Sequence, residues 1–213
     1  MVDLIKETFG LNKPIYIKDI ELTLGVSNIY AKKLLKKWVD TREIRRFSQG
    51  IYYFPEKSTL FGEKPFDVDE VIKDRYLGRK NNPQGYYSGL TLANIAKITT
   101  QVPAIRSIVT NMEKGNGRNI ILGKIKVRVS KPKQNINKEN VAALSLLDLV
   151  STAKKYSEFS RDKTMSMIQA YARKMQISKQ SVRNSLEAYP AKTSQERYQL
   201  LIDLIKLSRK GGN

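Results

Sequence analysis

Ala31, Leu34, Leu35 and Trp38 recur at i, i+3, i+4 and i+7, which commits this stretch to a helix with one buried stripe. Ile29, Lys33, Lys36 and Lys37 fall on the opposite face. The flanking residues narrow the fold further. Gly25 breaks the preceding helical segment, Val26 points inward, and Ser27 is a good N-cap for the helix that follows. Downstream, residues 43–47 and 51–54 are β-prone runs around Ser48-Gln49-Gly50, which reads as a hairpin. Upstream, Leu4, Ile5 and Phe9 follow helical spacing. Residues 18–24 give a second helix, with Ile20, Leu22 and Leu24 available to a core. Helix, helix, helix, hairpin over residues 1–55 is the order of a winged helix-turn-helix.

Residues 56–65, bounded by Pro55 and Pro65, read as a linker to a C-terminal domain at 66–213. That domain divides into an α/β part at 66–135 and a helical part at 136–213. Asp67 should cap a helix that places Val68, Val71, Ile72 and Tyr76 on one side. Residues 80–85 read as a loop. Ser88 should cap a helix running through Ala93, Ala96 and Ile98, and Pro103 ends that unit. Residues 104–110 form a strand, 114–117 a turn, and 119–130 one long strand or two. Helices are expected over 140–156, 163–175, 179–189 and 194–208, the last with Tyr198, Leu201, Ile202 and Ile205 at core spacing. No internal repeat is visible. The expected class is α+β: a winged helix-turn-helix followed by a mixed α/β and helical C-terminal domain.

Charge narrows the partners. Lys and Arg number 39 against 20 Asp and Glu, a formal +19. The excess is spread along the chain, at +4 over residues 1–55, +8 over 56–135 and +7 over 136–213. A basic surface on every module suits a polyanion, nucleic acid first and anionic membrane second. The chain has no cysteine, so disulfides and Cys-ligated zinc are excluded. It also has no histidine, the commonest general base and metal ligand. Catalysis would fall to Asp, Glu, Lys, Ser or Tyr, and the expectation is a non-enzyme without cofactor or metal. Asp3 and Glu7 interrupt the first residues, so no signal peptide is expected. No stretch approaches the ~20 apolar residues of a membrane span. A cytoplasmic location without membrane contact is the expectation.

The third helix and the hairpin supply the candidate DNA contacts. A recognition helix lies in the major groove with its N-terminal residues on base edges. Ser27, Asn28, Tyr30, Lys32, Lys33 and Lys36 stand clear of the apolar stripe. Ser27 and Asn28 can hydrogen-bond to bases or phosphates, while the lysines neutralise phosphates. Arg45, Arg46, Ser48 and Gln49 sit near the hairpin tip, where a wing meets the flanking groove or backbone.

Other clusters divide between chemistry and structure. Lys124, Lys126 and Arg128 alternate with Ile125, Val127 and Val129, giving an apolar face and a line of cations about 7 Å apart. With Lys131 and Lys133 beyond them, they mark a surface for a polyanion or a partner. Asp67, Asp69, Glu70 and Asp74 are explained by the N-terminal turns of a helix, which favour acids. Gly115-Asn116-Gly117 lacks the Gly-Lys-Ser/Thr ending of a phosphate loop. Tyr86 and Tyr87 could stack on bases, but core and rim positions suit them better. Residues 168–189 scan as a second helix-turn-helix, a helix, an Ile-Ser turn and a polar helix. Two packed amphipathic helices give the same pattern without DNA.

Gly25-Val26-Ser27 leading into a Lys-rich helix, then Ile44-Arg45-Arg46 and Gly50-Ile51-Tyr52-Tyr53, resemble the opening of AbiEi-type antitoxins. That family belongs to the abortive-infection (type IV) toxin–antitoxin systems of phage defence. The likeness continues through Gly85-Tyr86-Tyr87-Ser88-Gly89, Thr99-Thr100-Gln101-Val102-Pro103 and Val109-Thr110-Asn111. It extends more loosely to Leu144, Leu146-Leu147-Asp148 and the Tyr189-Pro190 step. The resemblance implies an N-terminal DNA-binding domain that represses the protein's own operon. It also implies a C-terminal region that counters a nucleotidyltransferase-like toxin, with or without touching it.

The expected function is therefore a DNA-binding autorepressor and antitoxin. Its partners would be double-stranded operator DNA and a cognate nucleotidyltransferase-type toxin. The alternative is a plain winged-helix regulator of a plasmid or mobile element without a toxin. An interaction protein and a toxin-modifying enzyme are the remaining classes.

Overall fold

A computed structural model describes residues 1–58 and 62–186 of the chain. The helix expected over 194–208 and the Tyr189-Pro190 step lie outside the described residues. The chain divides into two units, Met1–Arg75 and Tyr76–Asn213.

The first unit opens with α1 (Val2–Phe9), β1 (Ile15–Tyr16), α2 (Ile17–Leu24) and α3 (Asn28–Asp40). The hairpin β2 (Arg45–Ser48) and β3 (Ile51–Tyr53) follows, and β1 pairs with β3 in a three-stranded sheet of order β1-β3-β2. Ile5, Ile20, Leu35, Trp38, Ile44 and Phe54 are buried together, so helices and sheet share one core. The backbone N–H of Tyr16 donates to the Asp19 carboxylate at 2.7 Å, which lets strand β1 run straight into α2. Leu22 departs from expectation, being 74% exposed. Position 22 is two residues from Ile20, roughly 200° around the helix from the buried stripe.

Residues 56–65 are not a free linker. Within them β4 (Lys57–Ser58) pairs antiparallel with β5 (Gly62–Glu63). Glu63 accepts from Arg45 of β2. Just beyond, the Phe66 ring stacks on Tyr53, with centroids 4.3 Å apart, and tilts against Phe47 at 4.8 Å. This ion pair and ring cluster explain why the unit runs to Arg75 instead of ending near residue 55. Its last helix, α4 (Val68–Ile72), is capped by Asp67, whose carboxylate accepts from Asp69 N at 2.9 Å. Val68, Val71 and Ile72 are buried as the spacing predicts. A π-helical turn, Lys73–Leu77, carries the chain into the second unit.

The second unit begins with β6 (Gly78–Arg79) and β7 (Asn82–Pro83), a two-strand hairpin where a loop was expected. Its main sheet comprises β8 (Gly85–Tyr87), β9 (Ile105–Thr110), β10 (Arg118–Leu122) and β11 (Ile125–Ser130), in the order β10-β11-β9-β8. β11 lies between β10 and β9, antiparallel to the first and parallel to the second. Gly85 is required where it stands. A Cβ there would lie 2.6 Å from the carbonyl oxygens of both Tyr76 and Val109.

Helix α5 (Gly89–Ile95) follows β8, and α6 (Val141–Tyr156), α7 (Arg161–Lys174) and α8 (Lys179–Leu186) complete the unit. Ser88 stands at the N-cap of α5 without a side-chain cap bond. The Asp148 carboxylate on α6 instead accepts from Gly89 N at 3.3 Å. Leu92, Leu146, Leu149, Ile168, Val182 and Leu186 bury α5 to α8 against one another. The architecture is α+β, with helices and small sheets in both units.

Candidate nucleic-acid interface

The turn before α3 sets that helix's direction. Gly25 takes φ 65°, in the left-handed region that costs glycine least. Val26 N donates to Glu21 O at 3.2 Å, closing the end of α2. Ser27 Oγ then accepts from Tyr30 N at 3.3 Å, starting α3. Ala31, Leu34, Leu35 and Trp38 are buried, which turns the other face outward. Asn28, Ile29, Tyr30, Lys32, Lys33, Lys36 and Lys37 are all exposed, and no acid stands on α3 before Asp40. The Asn28 amide donates to the Glu21 carboxylate, so this side chain is tied back to α2.

The hairpin separates its two arginines. Arg46 is exposed and Gln49 is exposed at the turn, while Ser48 is half-buried. Arg45 is engaged, with Nε 3.0 Å from a Glu63 oxygen and Nη1 donating to Arg42 O at 2.6 Å. Arg45 therefore fixes the base of the hairpin and leaves Arg46 and Gln49 to meet a partner.

The basic strand lies as the alternation predicts, with one addition. Lys124, Lys126 and Arg128 are exposed, while Val127 and Val129 are fully buried. Lys124 sits in the β10–β11 turn. Strand register sets Lys126 between Ile121 and Ile105, which are 69% and 42% exposed. Arg128 lies between Asn119 and Ser107, with Nη1 3.5 Å from Asn119 Oδ1. The surface is a mixed cationic and apolar face. Strand alternation within β11 cannot reveal this face, because the two isoleucines come from different strands. Lys131 is exposed at the end of β11 and shares a shallow groove with Lys114 and Lys133.

The acids near residue 70 serve structure. Glu70 accepts from Lys13 and, at 3.2 Å, from Lys73. The Lys13 hydrogen bond, against a smaller burial penalty, holds the Glu70 carboxyl below its ordinary range. Among the described residues no group of three or more His, Cys, Asp or Glu is placed to hold a metal. Tyr87 packs on the helical core and Tyr86 beside Ile136 and Leu144. Among the described residues no helix is long and apolar enough to cross a membrane.

The model of a family of unknown function, DUF6088, matches residues 13–180. The chain belongs to that family. The DUF6088 stretch runs from Lys13, ahead of β1, to Gln180 in the first turn of α8, and so takes in both units. No curated protein matches the chain. Several residues inside the DUF6088 stretch are joints of the fold. Gly85 admits the β8–β9 approach, and Thr110 Oγ1 donates to Tyr76 O at 2.7 Å.

Proposed function

We propose that the first unit is a winged helix-turn-helix that reads duplex DNA, with α3 as recognition helix and β2–β3 as wing. The observation that carries this reading is the acid-free exposed face of α3, set immediately after the Gly25 turn. Thirteen residues give a rod of about 20 Å at 1.5 Å per residue, and the major groove is about 12 Å wide. Lys32, Lys33, Lys36 and Lys37 neutralise phosphates. Asn28 and Tyr30, at the first turn, reach base edges, and Asn28 exchanges Glu21 for a base as it docks. Arg46 and Gln49 contact the flanking backbone, while Arg45 positions the wing through Glu63.

In this reading the chain represses its own operon in the cytoplasm and needs no metal or cofactor. The likeness to AbiEi-type antitoxins supports a second role, countering a nucleotidyltransferase-type toxin without being an enzyme itself. The exposed face around Lys126 is the surface in the second unit best suited to that role.

The DNA reading is tested by mobility shift on the duplex upstream of the protein's own gene. Lys33→Ala with Lys36→Ala should weaken binding and lower the salt slope by about one unit per lost phosphate contact. Variants that bind like the parent at every salt concentration remove α3 from the interface. The antitoxin role is tested by colony survival when a neighbouring nucleotidyltransferase gene is induced with and without this chain. Equal survival in the two cultures rejects it.

A further inference from the structure

The turn that positions α3 is built a second time, between α7 and α8. Gln176 takes φ 52°, matching the 65° of Gly25. Ile177 N donates to Ala172 O at 3.3 Å, as Val26 N donates to Glu21 O at 3.2 Å. Both are the bond that closes a helix around a left-handed residue. Ser178 Oγ then accepts from Ser181 N at 3.1 Å, as Ser27 Oγ accepts from Tyr30 N at 3.3 Å. Six residues past the left-handed position stands a fully buried residue, Ala31 in one case and Val182 in the other. Ten residues past it stand the buried Leu35 and Leu186. Only the serine is common to Gly25-Val26-Ser27 and Gln176-Ile177-Ser178, so sequence identity does not reveal the repeat.

The outward face of α8 has the chemistry that base and phosphate recognition needs. Lys179, Gln180, Arg183 and Asn184 are exposed, as are Arg173 and Lys174 at the end of α7. No Asp or Glu occurs from Lys163 to Leu186. Gln180 Nε2 donates to Asn184 Oδ1 at 2.7 Å, which sets two amides side by side on successive turns. Side-chain amides pair with adenine in the major groove and Arg with guanine, whereas a solvated charged helix needs neither amide. Helix α6 packs on both α7 and α8 through Leu149, Ile168 and Val182, completing a three-helix support.

We propose that α6–α7–α8 is a second helix-turn-helix, with α8 entering a major groove, so that one chain reads two stretches of duplex DNA. It rests on its own turn and face and does not need α3 to read DNA.

The test is selection of a random-sequence duplex library by three full-length proteins. These are the parent, Lys33→Ala with Lys36→Ala, and Gln180→Ala with Arg183→Ala. The parent should enrich sites with two separated blocks of fixed bases. The α8 variant should keep one block and the α3 variant the other, each binding about tenfold or more weaker. Should the α8 variant fail to match the parent's thermal melt, Arg183→Lys alone should still change base preference within one block. One block, lost with α3 and untouched by either α8 change, overturns the second reader and leaves the first. One block lost only with α8 keeps α8 as a DNA reader and overturns α3, and with it the reading of two stretches. No enrichment by the parent overturns both.

Discussion

The side chain of Asn111 and the backbone of Ile136 bind each other in both directions. Ile136 N donates to Asn111 Oδ1 at 2.8 Å, and Asn111 Nδ2 donates to Ile136 O at 2.8 Å. One amide side chain thus takes the place of a strand partner for residue 136. It ties the end of β9 to the segment entering α6, where Ile136 packs against Val109 and Leu144.

Asn111→Ala should leave that N–H and that carbonyl unpaired in a partly buried site. The expected loss is about 2–6 kcal/mol, from about 1–3 for each stranded group. Asn111→Asp keeps the acceptor and should lose about half as much. Urea midpoints at unchanged slope measure both.

Gly85→Ala should be more damaging than an ordinary glycine change, although φ at this residue is not left-handed. The added methyl meets two backbone carbonyl oxygens at 2.6 Å, and backbone cannot rotate away as a side chain can. A cost of about 3 kcal/mol or more is expected, read as a fall in melting temperature. Gly25→Ala meets nothing within 4 Å and strains only its φ, so about 1 kcal/mol is expected there.

Glu21→Gln should raise affinity for DNA of any sequence by a few-fold at low salt, with the gain fading as salt rises. It removes a carboxylate beside the proposed recognition helix and weakens its hold on Asn28. Asn28→Ala should lower the preference for operator over random duplex instead. Competition titrations separate the two effects. Loss of affinity on Glu21→Gln would show that the carboxylate positions Asn28 for docking.

Reversing Lys124, Lys126 and Arg128 to Glu should leave the fold within about 0.5 kcal/mol of the parent, because all three are exposed. It should impair DNA affinity or, on the proposed antitoxin reading, protection from a nucleotidyltransferase-type toxin. Parent-like melting, binding and protection together would make the face an inert solvated one.

Glu70 gives a pH dependence with a definite sign. Its carboxyl titrates below the ordinary 4.5 in the folded chain, chiefly through Lys13. A depressed carboxylate contributes stability above its unfolded value and loses it as pH falls through the folded one. Glu70→Gln should therefore be less stable than the parent at pH 7, with the gap closing below about pH 4.5. The exposed lysine limits the gap to under about 1 kcal/mol. Melts at pH 7 and pH 3.5 check it.

Local periodicity carried the first unit well. The Ala31 stripe, the Gly25 break, the Ser27 cap and the β2–β3 hairpin depend on neighbours within a few residues, and all are where spacing predicts. Contacts between distant residues were hidden. Nothing in residues 56–65 announces that Glu63 meets Arg45 or that β4 pairs with β5, so the stretch reads as a linker. Leu22 looked like core because composition does not set helical phase. Site residues split in the same way. The exposure of Lys33 and Lys36 follows from the stripe, whereas the engagement of Arg45 and Asn28 and the isoleucines beside Lys126 need the tertiary structure. At α8 the pattern was legible but ambiguous, and only the left-handed Gln176 sets it beside the first turn.

The placement of β11 has a consequence for the order of assembly. β10 and β11 are neighbours in sequence and can close locally, but β11 must then enter the slot beside β9, 21 residues away at the Ile105–Lys126 pair. Until it does, β9 has an open edge and Val127 and Val129 lack their final cover. During synthesis, everything up to Leu122 can emerge without the strand that joins the two halves of the sheet. Until the β10–β11 hairpin docks on β9, the nascent second unit presents an open sheet edge of the kind that pairs with other chains, so this one long-range pairing closes the edge that local hairpin formation leaves exposed.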